Sequence, residues 1–286
     1  MVAALGVEVF KLQRRVAVWV CLGILLLIVI LLGYLLTWLV LSHPSPQTAA
    51  QLPRGVTPEQ LKQQIYPAHF VQNTLSGAAQ LGGVIMLIVG VLLQGSEYGW
   101  GTVKTLFTQQ PRRLHVLAAK LLAVAALAMV VSAVLLAVGA GTSYLLATID
   151  GARSPFPSGS TVVKGFLALW LILVFWSWFG VALATLFRQS ALAIGLGLAY
   201  ALVIEGLIFG IAGQFGGDPV RQVQQWFPLA NTSYVVGSFG SPSPVADAAR
   251  AHPYRDATHG VVVVLLYCAG FAVLSGTLFQ RRDVTT

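Results

Sequence analysis

Six stretches of this 286-residue chain are apolar over the length that crosses a bilayer, and nothing else constrains its fold so strongly. A membrane helix needs about 20 mostly apolar residues. Segments 18–41, 75–94, 116–148, 162–187, 191–213 and 261–279 all qualify. The third is long enough to tilt or to extend past the bilayer. The fourth and fifth are separated only by Arg188, Gln189 and Ser190, which predicts a tight hairpin. Composition agrees: 57% of residues are hydrophobic and 9% charged, where a soluble domain carries about 25% charged. A water-soluble enzyme, a disordered chain and a cysteine-stapled secreted module are thereby excluded. The expected fold is an all-α integral membrane protein, a single domain over 1–286 with six transmembrane helices.

The formal charge is +8, yet the basic residues flank apolar runs and do not form a nucleic-acid face. One side of the predicted bundle carries the N-terminus, the second and fourth loops and the C-terminal tail. It holds ten basic and three acidic residues; the other side holds seven and five in about twice the length of chain. The positive-inside rule therefore puts both termini in the cytoplasm. The first run is too long for the 7–15-residue core of a signal peptide and is expected to stay as a span. Cys21 and Cys268 both lie in apolar runs and read as small hydrophobes.

Catalytic signatures are missing: there is no HExxH, CxxC or GxSxG. GWGTVKT at 99–105 lacks the glycine that precedes the lysine of a phosphate loop, and it follows a membrane helix instead of a strand. His43, His69, His115, His252 and His259 never cluster at ligand spacing and read as solvated loop or span-end residues. The Asn231-Thr232-Ser233 triplet fits a glycosylation acceptor but arises too often by chance to carry weight.

Two segments on the basic side are unusual. In residues 1–17, Val2, Leu5, Val9, Leu12 and Val16 recur at steps of three and four, one face of a helix. Glu8, Lys11, Arg14 and Arg15 are expected to project from the rest, giving an amphipathic helix in the membrane interface. The second segment, QGSEYGWGTVKTLFTQQPRRLHVLAAKLL, spans 94–122. Glycines and Pro111 delimit a short helix-capable stretch from Thr102 to Gln109, with Val103, Leu106 and Phe107 on one face. Lys104, Arg112 and Arg113 rim it, a shape suited to being gripped by a cytoplasmic partner.

The arrangement EYGWGTVKTLFT, then PRR, then AKLL resembles the ABC-2-type permeases of ABC transporters. In that family an acidic residue closes the second span, a Gly-Thr-led helix follows, and a basic cluster and a lysine open the third. VEVFKLQRR before the first span resembles the family's connecting helix, and six spans with both termini inside agree. The nearest likeness is to multidrug, bacitracin-resistance and lantibiotic-immunity permeases. The resemblance implies a type V exporter-like architecture in a bacterial cytoplasmic membrane. Region 99–113 would be the coupling helix, with Glu97, Gly101, Thr102, Val103, Lys104, Leu106, Phe107, Arg112 and Arg113 at the ATPase dock. Glu8, Lys11, Arg14 and Arg15 would belong to the connecting helix. It implies two permease subunits, identical or related, with two ATP-binding subunits that hold the ATP and Mg; this chain would bind no cofactor and no metal. The QQPRR run is longer than the family's usual Pro-x-x-Arg, which bears on the length of the docking helix.

Within the apolar runs the one acidic residue is Glu205. An unpaired charge at bilayer depth costs at least about 2.5 kcal/mol, so it should face protein, water or a partner. It adjoins Gly206 and Gly210, a small-xxx-small pattern that permits close helix approach. Two sizeable loops lie on the outer side, 42–74 and 214–258. The second is apolar enough to fold back as short or re-entrant helices, with Trp226, Phe227 and Tyr234 as interface anchors. The expected function is the permease half of an ATP-driven exporter. An ion-driven secondary transporter or channel is the alternative; it would show more intramembrane ionisable groups or paired broken helices.

Overall fold

The computed structural model describes residues 2–43, 57–99, 113–240 and 256–281, and no strand forms among them. Among the described residues six helices are long and apolar enough to cross a membrane, over Val16–Ser42, Pro67–Glu97, Leu114–Ile149, Gly159–Phe187, Ser190–Ala212 and Ala257–Arg281. The chain is a multi-pass membrane protein, as the apolar runs require. In chain order, α1 is Val2–Arg14, α2 Val16–Ser42 and α3 Pro58–Gln63. A turn at Pro67–His69 leads into α4, Phe70–Gly99, and α5 is Arg113–Ile149. Then come α6 Gly159–Phe187, α7 Ser190–Ala199, α8 Glu205–Gln224, α9 Pro228–Gly237 and α10 Ala257–Arg281.

Local chemistry sets several of these ends. Thr57 and Gln60 form a reciprocal capping box ahead of α3, and Pro58 sits in its first turn, where a missing N–H costs nothing. The Ser158 side chain accepts from the Thr161 N–H to start α6. Arg188 ends that helix in the left-handed region at φ 54°, which makes the predicted hairpin into α7. The break between α1 and α2 falls at Arg15, which is extended.

The core is a seam between α4 and α6, built by small residues at facing positions. A Cβ added to Gly90 would meet the Ser177 carbonyl, and one added to Gly180 would meet the Leu87 carbonyl. Gly83 lies under the Trp176 indole, which is almost fully buried. α5 closes against this pair through two indole donors: Trp170 Nε1 gives to the Ala125 carbonyl at 2.9 Å and Trp178 Nε1 to the Leu121 carbonyl at 3.2 Å. α2 widens into a π-turn at Leu31–Leu35, and the Asn73 side-chain amide donates to the Gly33 carbonyl there at 2.9 Å. Beside that turn, Tyr34 and Thr74 share a buried hydroxyl–hydroxyl bond at 2.7 Å.

At the end away from the N-terminus, Asp150 gathers Trp38 Nε1 at 2.9 Å, Tyr66 Oη at 2.7 Å and Lys62 Nζ at 3.3 Å. α3 and the ends of α2 and α5 are thus tied to one carboxylate. Burial raises the Asp150 pKa, but the three donors outweigh it and hold the group below its ordinary value. The Tyr66 hydroxyl is pushed up to about 12 by burial and by that carboxylate.

The fifth apolar run departs from a plain span. α7 opens into a π-turn at Tyr200–Ile204, and α8 continues to Gln224. A straight helix of twenty residues is about 30 Å long. Yet Glu205 contacts Leu229 and Ala230, and the Phe209 and Phe227 rings meet at 4.7 Å. α8 must therefore bend back on itself, and Pro219 inside it supplies a cause. α9 then packs on α10, α4 and α6, so part of the loop predicted at 214–258 is folded helix.

Gly180→Ala is expected to destabilise the protein by about 1–3 kcal/mol, as overpacking does at a rigid backbone contact. Gly195→Ala, whose added methyl meets nothing within 4 Å among the described residues, should leave it unchanged. Thermal unfolding in detergent reads the difference, and equal melting temperatures would show that the seam is not close-packed there.

Candidate functional site

Where α1, the last turns of α4 and the first turns of α5 converge, four charged side chains meet. Lys11 Nζ lies 2.7 Å from Glu8 Oε1 and 2.8 Å from Glu97 Oε1. Lys120 Nζ lies 2.5 Å from Glu97 Oε1 and 3.5 Å from Glu8 Oε2. Glu8, Glu97 and Lys120 are buried, Lys120 completely, and only Lys11 reaches solvent. Two acids balance two bases, so the cluster is neutral, the condition under which charges tolerate burial. Burial alone lowers the Lys11 pKa, but its bonds to Glu8 and then to Glu97 outweigh this and raise it, so Lys11 stays an ammonium. Arg15 adds a bond to the Leu92 carbonyl at 2.5 Å; burial pulls its pKa down and the two glutamates push back.

Helix geometry explains the convergence. α1 turns Leu5, Glu8, Val9 and Leu12 inward, which are steps of three and four on one face. The sequence pattern puts Glu8 on the polar face with Lys11, Arg14 and Arg15; the structure corrects this, because Glu8 lies within the apolar stripe and finds cationic partners there. Val16 is also corrected: it heads α2 and is 74% exposed. Arg14 does project outward, its guanidinium 5.2 Å from the Phe10 ring. α4 continues through Glu97 to Gly99, past the Gln94 boundary expected from hydropathy, and this carries Glu97 to the cluster.

Lys120 escaped the sequence reading as a site residue, although a signal was present. A lysine seven residues into a long apolar helix needs a carboxylate partner, and Glu97 and Glu8 were the candidates nearest its depth. Of the expected docking residues, Gly101, Thr102, Val103, Lys104, Leu106, Phe107 and Arg112 lie outside the described residues, and Arg113 begins α5. The cluster stands at both borders of that segment.

Glu205 is the second buried acid, 3% exposed. Its Oε2 accepts from Tyr200 Oη at 2.8 Å and the Leu229 N–H at 3.0 Å; its Oε1 accepts from the Ala230 N–H at 3.1 Å. The carboxylate thus caps the N-terminus of α9, where unpaired N–H groups and the helix dipole favour a negative charge. A Cβ added at Gly206 or Gly210 would meet no atom within 4 Å, so the small-xxx-small face has no partner among the described residues. Asn231 is buried and donates to the Gln225 and Phe227 carbonyls, which leaves its amide no room for a glycan. His259 is not a free loop residue: its Nε2 lies 3.1 Å from the Gln225 carbonyl and its ring edge meets Trp226.

Replacing Lys120 by Met should cost about 3–5 kcal/mol, because it leaves Glu8 and Glu97 to share Lys11 and one buried negative charge without its balancing ammonium. The double change Lys120→Met with Glu97→Gln should recover part of that loss in the same melting assay. A stable single variant would remove the cluster as a structural tie. Glu205→Ala should raise amide hydrogen exchange across 228–237, with Glu205→Gln between it and the parent; unchanged exchange would remove the capping role.

Residues 8–284 match the family model described as ABC-2 family transporter protein. A search of curated proteins found no match. The match covers nearly the whole chain, so the chain belongs to the ABC-2 family of transporter proteins.

Proposed function

We propose that this ABC-2 family transporter protein is the permease subunit of an ATP-driven exporter. A separate ATP-binding subunit would dock on residues 99–113 and carry ATP and Mg, and two permease copies, or this chain and a homologue, would frame the export path. Both termini would face the cytoplasm of a bacterial cell, and this chain would do no chemistry. The substrates would be those of the multidrug and antimicrobial-peptide resistance transporters that the sequence resembles.

The observation that carries the reading is the Glu8–Lys11–Glu97–Lys120 cluster. It joins α1 to both borders of the proposed dock, and it lies at the end of the bundle richer in basic residues. A push on the docking segment would then move α1, α4 and α5 together. Each arm of the cluster resists separation, since it would expose a buried charge without its partner. The exposed face of α7 and α8, with Leu202, Val203, Leu207, Gly206 and Gly210, offers a seam for the second permease. An ion-driven carrier would need an intramembrane acid free to bind its ion, whereas Glu205 is engaged by three donors.

Changing Val103, Leu106 and Phe107 to glutamate should abolish co-purification with the cognate ATP-binding subunit, while membrane insertion is kept. Survival of the complex would overturn the docking assignment.

A further inference from the structure

Between α4, α6 and α9 lies a cleft of about 240 Å³. Ser76, Gln80, Thr232 and Ser233 line it with Leu229, and the Trp176 indole lies at its floor. The polar lining is made of hydroxyls and an amide, with no charge. Gln80 and Ser233 are exposed, so the cleft opens to the surface of the chain. Ser76 Oγ is buried and has no hydrogen-bond partner among the described residues. Thr232 spends its hydroxyl proton on the Leu229 carbonyl at 3.0 Å but keeps its lone pairs.

Position makes this lining informative. Ser76 and Gln80 are the second and sixth residues of the apolar run 75–94, which puts Gln80 about 7.5 Å inside its edge. The apolar layer of a bilayer is about 30 Å thick. A glutamine amide and a row of hydroxyls at that depth cannot be left to acyl chains without losing several kcal/mol for each unmet group. They call for water, a hydrogen-bonding ligand or further protein, and their exposure among the described residues favours the first two. Charge is absent from the lining, so an ion would be stripped of water there without compensation.

We infer that this cleft is a ligand subsite on the export path that takes an uncharged, hydrogen-bonding group of about the size of one sugar ring. Ser76 and Gln80 would supply donors and acceptors, Thr232 and Ser233 acceptors from the opposite wall, and the Trp176 edge an apolar floor. The inference rests on the export reading for its place in transport, but the test does not depend on the ATP-binding subunit.

The test replaces Cys21 and Cys268 by alanine and introduces Gln80→Cys, Ser233→Cys or, as a lipid-facing control on α10, Leu266→Cys (61% exposed), one at a time in the full chain. In proteoliposomes, a membrane-impermeant maleimide should label positions 80 and 233 about tenfold faster than 266, since the reaction needs a hydrated thiolate. Octyl glucoside, octyltrimethylammonium and octyl sulfate are then compared as protectants below their micelle concentrations. The glucoside alone should slow labelling several-fold. Labelling at 80 and 233 as slow as at 266 would show lipid or a second copy against the cleft and overturn the site. Equal protection by the charged amphiphiles, or none by the glucoside, would overturn the ligand class. A failure of the export reading would appear instead as survival of the ATPase complex after the changes at 103, 106 and 107.

Discussion

A bilayer offers a hydrogen-bonding group nothing to bond with, and the architecture of this protein follows from that constraint. It forces the backbone of every span into helix. It also forces each polar side chain placed at depth to find a partner inside the protein, in water or in another molecule. The structure meets this demand in three ways at three levels. At the N-terminal end, charges cancel one another in a four-membered cluster. In the fifth helical segment, one carboxylate is satisfied by a hydroxyl and two backbone N–H groups. In the cleft, uncharged polar groups line an open surface.

The spine that holds these levels in register is the seam of α4 and α6. Its close approach rests on glycine facing backbone, at Gly90 against Ser177 and Gly180 against Leu87. Lipid tails are as apolar as leucine, so burial of apolar surface drives helix association weakly in a membrane; close packing and hydrogen bonds must do more. The Trp170 and Trp178 donors to α5 carbonyls and the Asn73 donor to the π-turn of α2 fit that demand. Each bonds a carbonyl of a neighbouring helix, which fixes how the helices are rotated as well as how closely they lie.

The spans were legible because a run of twenty apolar residues has few other fates. Segment 18–41 became Val16–Ser42 and segment 162–187 became Gly159–Phe187, each within three residues. The ends were less legible where polar residues stay helical, as in the extension of α4 from Gln94 to Gly99, because hydropathy falls before the helix stops. Glu8 was misplaced for a related reason. Periodicity sorts residues by polarity, and an acid that is buried because it meets Lys11 and Lys120 looks like a surface residue until its partners from distant segments are known. The fold-back of α8 onto α9 was legible only as apolar content, since the contact that fixes it, Glu205 to Leu229 and Ala230, links positions some two dozen residues apart.

The two ionic anchors differ in what they permit. Opening the Glu8–Lys11–Glu97–Lys120 cluster would part buried opposite charges, so its members are held to move as a unit. Glu205 holds α9 by hydrogen bonds from Tyr200 and two backbone amides, each worth about 1.5–3 kcal/mol to a charged acceptor. Water reaching that site could replace those donors one at a time. A displacement delivered at the cluster would therefore travel rigidly along α4 to Gln80 and Ser76, while α9 on the opposite wall can yield. The cleft between them is where such a difference in stiffness would change the shape of the lining.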